Sequence, residues 1–180
     1  MLTIETWLAQ LIPNNGIIYW LYVANYILGG GAGFDSRLTM RIRQKEGLSY
    51  GVGSYLSVGS LDRAGYWGGY AIAAPQNMAR VDVAFREELA RALKDGFTTA
   101  ELQAAKSGIL QTRAQNRSQD RALASTWAEY LYLGRTFAFS KQFEDKVKAL
   151  DIEQVNAALR KYIDPAKVSV VKAGDFTKKK

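Results

Sequence analysis

The chain has 180 residues, of which 48% are hydrophobic, and a formal net charge of +7. At this length we expect one domain, with enough chain to bury about 70% of its unfolded surface. The sequence contains no cysteine and no histidine. This excludes disulfides, thiol catalysis, a Ser-His-Asp triad and the H-x-x-E-H zinc motif within the chain itself.

The positive charge has four interpretations: binding of nucleic acid, of an acidic membrane surface or of an acidic substrate, or simply solubility. Lys178, Lys179 and Lys180 supply three of the seven excess charges. No nucleic-acid module is recognisable, so the sequence favours solubility. The most hydrophobic window, residues 17–28, is too short to cross a bilayer, and no basic region precedes it as in a secretory signal. We expect a soluble chain without a signal peptide, and the bacterial periplasm and the cytoplasm both stay open as compartments.

The first part of the chain predicts one strand and two helices. Residues 1–12 alternate loosely and predict an edge strand. Apolar residues at helical spacing predict a buried helix over residues 18–28, ending at Gly29. A second helix follows, with Asp35 and Ser36 as N-cap candidates. We place its end at Gly47, because glycine adopts the left-handed conformation without a Cβ penalty.

A β-hairpin is predicted from two segments, Ser49–Val58 and residues 65–74. Tyr50 and Val52 are expected on one face of the first strand. On the second strand, alternation gives two faces, one with Tyr66, Gly68, Tyr70 and Ile72, the other with Trp67, Gly69, Ala71 and Ala73. The interior glycines mark close approach of a ligand, of another backbone or of packed helices.

The remainder of the chain predicts helices and a closing strand. A stripe of apolar residues predicts a helix over residues 76–94. The helix caps that we expect after it are Thr98 with Glu101, Ser140 before residues 141–150, and Asp151 with Gln154. Residues 168–173 alternate as a final strand. We therefore predict an α+β fold in a single domain, residues 1–180: a two-layer sandwich of one mainly antiparallel sheet packed against a layer of helices.

Two polar segments have a functional and a plainer interpretation. The run that begins with Gly29, Gly30 and Gly31 resembles a phosphate-binding loop, but neither the Gly-Lys-Ser/Thr ending nor G-x-G-x-x-G after a strand is present. A connection between two helices is the favoured interpretation. The basic stretch from Arg113 to Arg121 is either a contact for a partner or acidic substrate, or a solvated helix junction, which we favour.

Arg43 and Tyr50 are the candidate functional pair. Arg43 lies in the last turn of the predicted second helix and Tyr50 at the start of the next strand, so the turn between them brings a guanidinium and a phenol together. Both groups donate hydrogen bonds and neither is a useful nucleophile, which suits holding a carbonyl or carboxylate. The alternative is that Arg43 pairs with Glu46 or with a helix carboxylate and that Tyr50 belongs to the core at a sheet edge.

The same stretch resembles a known family. LGGG at Leu28, followed by SRL and by R-x-K-E-G-L-x-Y from Arg43 to Tyr50, is similar to the C-terminal, non-catalytic domain of pitrilysin/insulinase-family zinc metallopeptidases. The resemblance continues through TTAEL and the closing VSVVKAGDF, and covers residues 18–176. Residues 1–17 match poorly as an edge segment, and residues 177–180 form a basic tail.

The resemblance implies a non-catalytic half that closes over a zinc-bearing H-x-x-E-H half, in the same or a separate chain. Arg43 would hold a carbonyl of the substrate peptide, and Tyr50 would donate to the scissile carbonyl as it becomes an oxyanion. Gly29, Gly30 and Gly31 would line a possible substrate contact. This chain would bind no metal, the partner would hold the zinc, and a homodimer is a further possibility. The alternatives are a structural subunit without proteolysis and, more weakly, a basic nucleic-acid-binding domain.

Overall fold

A computed structural model describes residues 2–11, 17–31, 35–61 and 64–175. The strands among these residues are β1 (Thr3–Leu11), β2 (Ser49–Val58), β3 (Gly65–Ala73) and β4 (Ser169–Ala173). They form one four-stranded sheet with the order β2-β3-β1-β4, in which every neighbouring pair is antiparallel. The predicted α+β sandwich is confirmed, as are the hairpin and the closing strand.

The helices lie between these strands in the sequence. They are α1 (Ile17–Asn25), α2 (Met78–Asp95), α3 (Thr99–Arg117), α4 (Asp120–Tyr132), α5 (Phe137–Ala149) and α6 (Ile152–Tyr162). Two π-helical segments, Tyr26–Gly30 and Thr39–Lys45, follow α1 and precede β2. Within the described ranges, no helix combines the length and the apolar character needed to cross a membrane.

The prediction of an edge strand at the N-terminus is wrong. β1 lies inside the sheet, pairing with β3 from Thr3↔Ala73 to Leu11↔Gly65 and with β4 from Ile4↔Ala173 to Leu8↔Ser169. Both backbone edges of β1 are therefore paired, and its Trp7 side chain is fully buried. The remaining residues of the predicted edge segment, Met1 and 12–16, lie outside the described residues.

Two of the three predicted helix caps are confirmed. Thr98 with Glu101 and Asp151 with Gln154 both form capping boxes, in which side chain and backbone groups bond reciprocally. The prediction for Ser140 is wrong. α5 begins four residues earlier than predicted, at Phe137, where the Thr136 side chain accepts from Ala138 N. Ser140 is instead buried within α5.

The sheet and the helices meet through an aromatic stack. The rings of Trp7 and Phe85, from β1 and α2, lie 3.8 Å apart at an interplanar angle of 3°. Gly69 of β3 makes room for this stack, because a Cβ there would lie 2.4 Å from the Phe85 ring. The predicted faces of β3 are confirmed, with Trp67 and Ala71 buried and Tyr66 and Tyr70 exposed. The interior glycines had three interpretations: close approach of a ligand, of another backbone or of a packed helix. At Gly69 the close approach is that of a packed helix.

A buried carboxylate lies beside the stack. Glu5 is fully buried on β1, and its Oε1 lies 3.0 Å from Lys172 Nζ of β4. Burial raises the pKa of Glu5 above its ordinary value, since a charged carboxylate is poorly solvated there, and Lys172 offsets this only in part. Burial of Glu5 in its ionised form therefore opposes folding.

We expect Gly69→Ala to lower the free energy of unfolding by about 1–3 kcal/mol, because the added methyl group displaces Phe85 from its stack. Urea unfolding measures the change. The matched control is Gly51→Ala on β2, whose Cβ would meet only Ile72 Cδ1, at 4.0 Å. Equal losses in both variants would show that Gly69 is not required for the stack.

We expect Glu5→Gln to flatten the pH dependence of stability. A carboxyl with a raised folded-state pKa stabilises the protein below its unfolded pKa, and this contribution is lost as the pH rises through the folded pKa, by at most about 1.4 kcal/mol per pH unit. Unfolding free energies from pH 4 upwards should therefore fall more steeply in the parent than in the variant. Glu153→Gln, at an exposed position of α6, is the control and should retain the parent slope.

Candidate functional site

The candidate site is the turn that joins the π-helical segment Thr39–Lys45 to β2. Leu38 and Ile42 are fully buried and attach the segment to the core. The segment ends where Leu48 N donates to Ile42 O at 2.9 Å. Gly47 has a φ of 61°, so the predicted left-handed glycine is confirmed at the end of this helix. The chain then reverses directly into β2.

A β-bulge at the start of β2 exposes Tyr50. Ser49 pairs with Ala73 and Gly51 with Ile72, so Tyr50 is the extra residue between them. The Ser49 hydroxyl lies 2.7 Å from Gly51 O and 2.9 Å from Ile72 O, which ties the bulge to β3. The prediction that Tyr50 shares a face with Val52 is wrong for this reason: Tyr50 is 76% exposed and Val52 8%.

The turn brings Arg43 and Tyr50 together. The Arg43 Cζ atom lies 5.8 Å from the centroid of the Tyr50 ring, within cation–π range. The alternative of a core tyrosine is wrong, given its exposure. Glu46, the proposed partner of Arg43, forms an ion pair with Arg41 at 3.0 Å. The substrate-binding role of Arg43 and Tyr50 stays a prediction.

Arg41 is the residue that the sequence analysis missed. Its guanidinium binds Glu46 within the turn and also Glu87 of α2, and it lies 3.8 Å from the buried Glu88. Burial acts to lower the pKa of Arg41, but the hydrogen bonds with Glu87 and Glu46 outweigh it and raise the pKa. Arg41 therefore fixes the turn to α2. The role of Arg41 follows only from its contact with α2, because an arginine that faces solvent has the same sequence pattern.

The glycine run lies close to the same strand. Gly29 and Gly30 belong to the π-helical segment Tyr26–Gly30, so the prediction of a loop starting at Gly29 is wrong. A Cβ on Gly29 would lie 2.7 Å from Ser54 N of β2, and this close approach explains the glycine. Gly29 is buried, while Gly30 is exposed and Gly31 half-buried. A substrate contact at Gly29, Gly30 and Gly31 stays a prediction.

Comparison with known proteins identifies the family. The model of the peptidase M16 inactive domain matches residues 6–109 of this chain. The chain belongs to the peptidase M16 inactive-domain family. The resemblance seen in the LGGG and R-x-K-E-G-L-x-Y motifs is thereby confirmed. Among the described residues of this M16 inactive domain, no cluster of three or more acidic side chains is placed to hold a metal ion.

Relatives and solved structures agree with this assignment. The "Non-peptidase homolog YmxG" of Helicobacter pylori is 24% identical over 142 residues, 79% of this chain and 32% of the relative. The "Uncharacterized zinc protease YmxG" of Bacillus subtilis is 29% identical over 146 residues, 79% of this chain and 34% of the relative. A peptidase M16 inactive domain from Pseudomonas fluorescens superimposes with a TM-score of 0.77 and 25% identity, over 97% of this chain and 41% of that one. The M16 inactive domain described here spans about a third of the length of its curated relatives.

We expect Arg41 and Arg43, two residues apart, to differ in their effect on stability. Arg41→Gln removes the ion pairs with Glu46 and Glu87 and leaves the buried Glu88 with Arg91 alone, and should lower the free energy of unfolding by about 1–2 kcal/mol. Arg43→Gln removes an exposed side chain and should change it by about 0.5 kcal/mol or less. Urea unfolding of both variants makes the comparison. A loss at Arg43 as large as that at Arg41 would make Arg43 a structural residue.

Proposed function

We propose that this M16 inactive domain is the non-catalytic half of a zinc metallopeptidase and binds the substrate peptide through Arg43 and Tyr50. The observation that carries the proposal is the exposed Arg43–Tyr50 pair at the bulged end of β2. A phenol that is 76% exposed contributes little to the core. Its position is set by Ser49, Gly47 and Arg41, which hold the turn from behind.

The chemistry of the pair fits a peptide in the act of cleavage. Arg43 presents a guanidinium, which donates hydrogen bonds and carries a fixed positive charge, and so holds a backbone carbonyl of the substrate. Tyr50 presents a phenolic O–H, which donates to the scissile carbonyl oxygen as negative charge develops there. A donor that acts mainly in the transition state contributes about a hundred- to a thousandfold in rate.

The zinc and the general base belong to a partner in this proposal. The chain has no histidine, so an H-x-x-E-H domain, in a separate chain or elsewhere in a longer one, supplies the metal and activates the water. The relative from Bacillus subtilis, named a zinc protease, is about three times as long as the matched region. The run Gly29, Gly30 and Gly31, which begins where Gly29 lies against Ser54 of β2, would contact the same peptide.

A structural subunit without proteolysis is the second candidate. The observation in its favour is the name of the Helicobacter pylori relative, a non-peptidase homolog. In that case the fold would serve only to hold a partner, and the Arg43–Tyr50 pair would have no part in turnover.

Steady-state cleavage of an unstructured peptide by the reconstituted zinc half and this chain tests the proposal. Tyr50→Phe should lower kcat about a hundred- to a thousandfold, because it removes only the hydroxyl donor. Arg43→Gln should raise KM, because it removes a contact that the bound substrate already makes. The matched controls are Tyr66→Phe, another exposed tyrosine of the sheet, and Lys45→Gln, an exposed cation of the same segment.

Association of the two halves is measured separately by sedimentation, so that a lost complex is not mistaken for a lost donor. Unchanged kinetics in both variants, or full activity of the zinc half without this chain, would reject peptide binding. The scaffold function would then be the better account.

A further inference from the structure

The helical layer contains a cleft that shares no residue with the Arg43–Tyr50 turn. It has a volume of about 320 Å³ and lies between α1, α3, α4 and α5. This is near the lower end of the range for pockets that hold small molecules, about 300–1,000 Å³. Aromatic side chains form much of its wall: Tyr19, Tyr22, Tyr130, Phe137, Phe139 and Phe143.

The packing of α4 accounts for the opening. A helix of a packed layer normally buries a continuous apolar stripe, but Tyr130 is the single buried residue among those of α4. Leu123 and Thr126 are only half-buried and line the cleft instead. The inner side of α4 therefore faces an open space and leaves the aromatic rings opposite it accessible.

Arginines outnumber carboxylates in this wall. Arg113 and Arg117 share one partner, Glu144 of α5, with Arg113 Nε 3.1 Å from its Oε1. Burial acts to raise the pKa of Glu144, but the two arginines outweigh it and lower the pKa, so the carboxylate stays ionised. Arg135 lies over the Phe139 ring at 4.3 Å. In the described part of the chain, Arg135 forms no ion pair, so the cleft carries positive charge beside apolar rings.

Uncharged and acidic groups complete the lining. Asn116 and Glu129 both line the cleft. An amide donates to and accepts from a peptide backbone, and a carboxylate accepts from a backbone N–H. Groups of this kind favour a peptide, whose backbone can pair with them, over a simple hydrocarbon acid, which offers them no backbone donor or acceptor.

We propose that this cleft binds the C-terminal end of a peptide whose last residue is apolar. The α-carboxylate pairs with Arg135 and Arg117, the last side chain packs between the aromatic rings, and the preceding backbone bonds to Asn116 and Glu129. A cleft of this volume accommodates one or two residues of the peptide. The proposal goes beyond peptide cleavage and holds whether or not the Arg43–Tyr50 pair takes part in proteolysis.

Isothermal titration of the intact chain with acetyl-Ala-Ala-Phe and with its C-terminal amide tests the proposal. The free acid should bind about tenfold or more tightly than the amide, since the amide lacks the charged hydrogen bond to arginine. Arg135→Gln should reduce that difference, since Arg117 alone would then pair with the carboxylate, and should leave the affinity for the amide unaffected. Arg121→Gln on α4 removes the same charge outside the lining and should change neither affinity.

A second variant fills the cleft without removing a charge. Thr126→Trp places a large ring where the last side chain would pack and should abolish binding of both peptides, while the melting temperature reports whether the fold is retained. Equal affinity for acid and amide, equal loss in Arg121→Gln, or unchanged binding in a folded Thr126→Trp variant would overturn the proposal. Tighter binding of decanoate than of the acyl peptide would also overturn it, since the site would then hold a hydrocarbon acid.

Discussion

The stack of Trp7 on Phe85 sets the distance between the sheet and α2. It requires a central strand that carries Trp7, a glycine on the neighbouring strand and a helix that places Phe85 above both. Trp7 Nε1 also donates to Asp82 Oδ1 of α2 at 3.1 Å, which fixes the helix along the strand. Because α2 is held there, Glu87 two residues beyond Phe85 reaches Arg41, and the core packing determines where the exposed turn lies.

Two arginines of the turn differ in what they contact: Arg41 holds the turn against α2, and Arg43 lies at the exposed surface beside Tyr50. Arg41 and Arg43 are two residues apart, about half a helical turn, so they point to opposite sides. The inward arginine binds three carboxylates of the turn and α2, and the outward one meets Tyr50. A rigid turn of this kind presents donors without first having to order them, which favours recognition of a bound peptide.

Sequence patterns that depend on residues close together in the chain predicted the structure well. Gly47 and the capping boxes at Thr98 and Asp151 depend on backbone groups within a few residues, and all three are confirmed. The position of β1 depends on partners more than fifty residues away, and no local alternation distinguishes an interior strand from an edge strand. The bulge at Tyr50 places that residue on the opposite face from the one predicted, and it too depends on pairing with another strand, β3. Alternation along the sequence assumes a register without bulges. Ser140 was a suitable cap residue, but Thr136 supplied a cap earlier.

The order of the strands has a consequence for synthesis. β1 is made before the other three strands and pairs along its whole length with β3, but its other side waits for β4, the last strand among the described residues. Until residues 169–173 emerge, β1 exposes an unpaired edge, and such edges pair readily with other chains. Closing the sheet joins the first and last strands, a contact of very high sequence separation, which makes it a late step of folding.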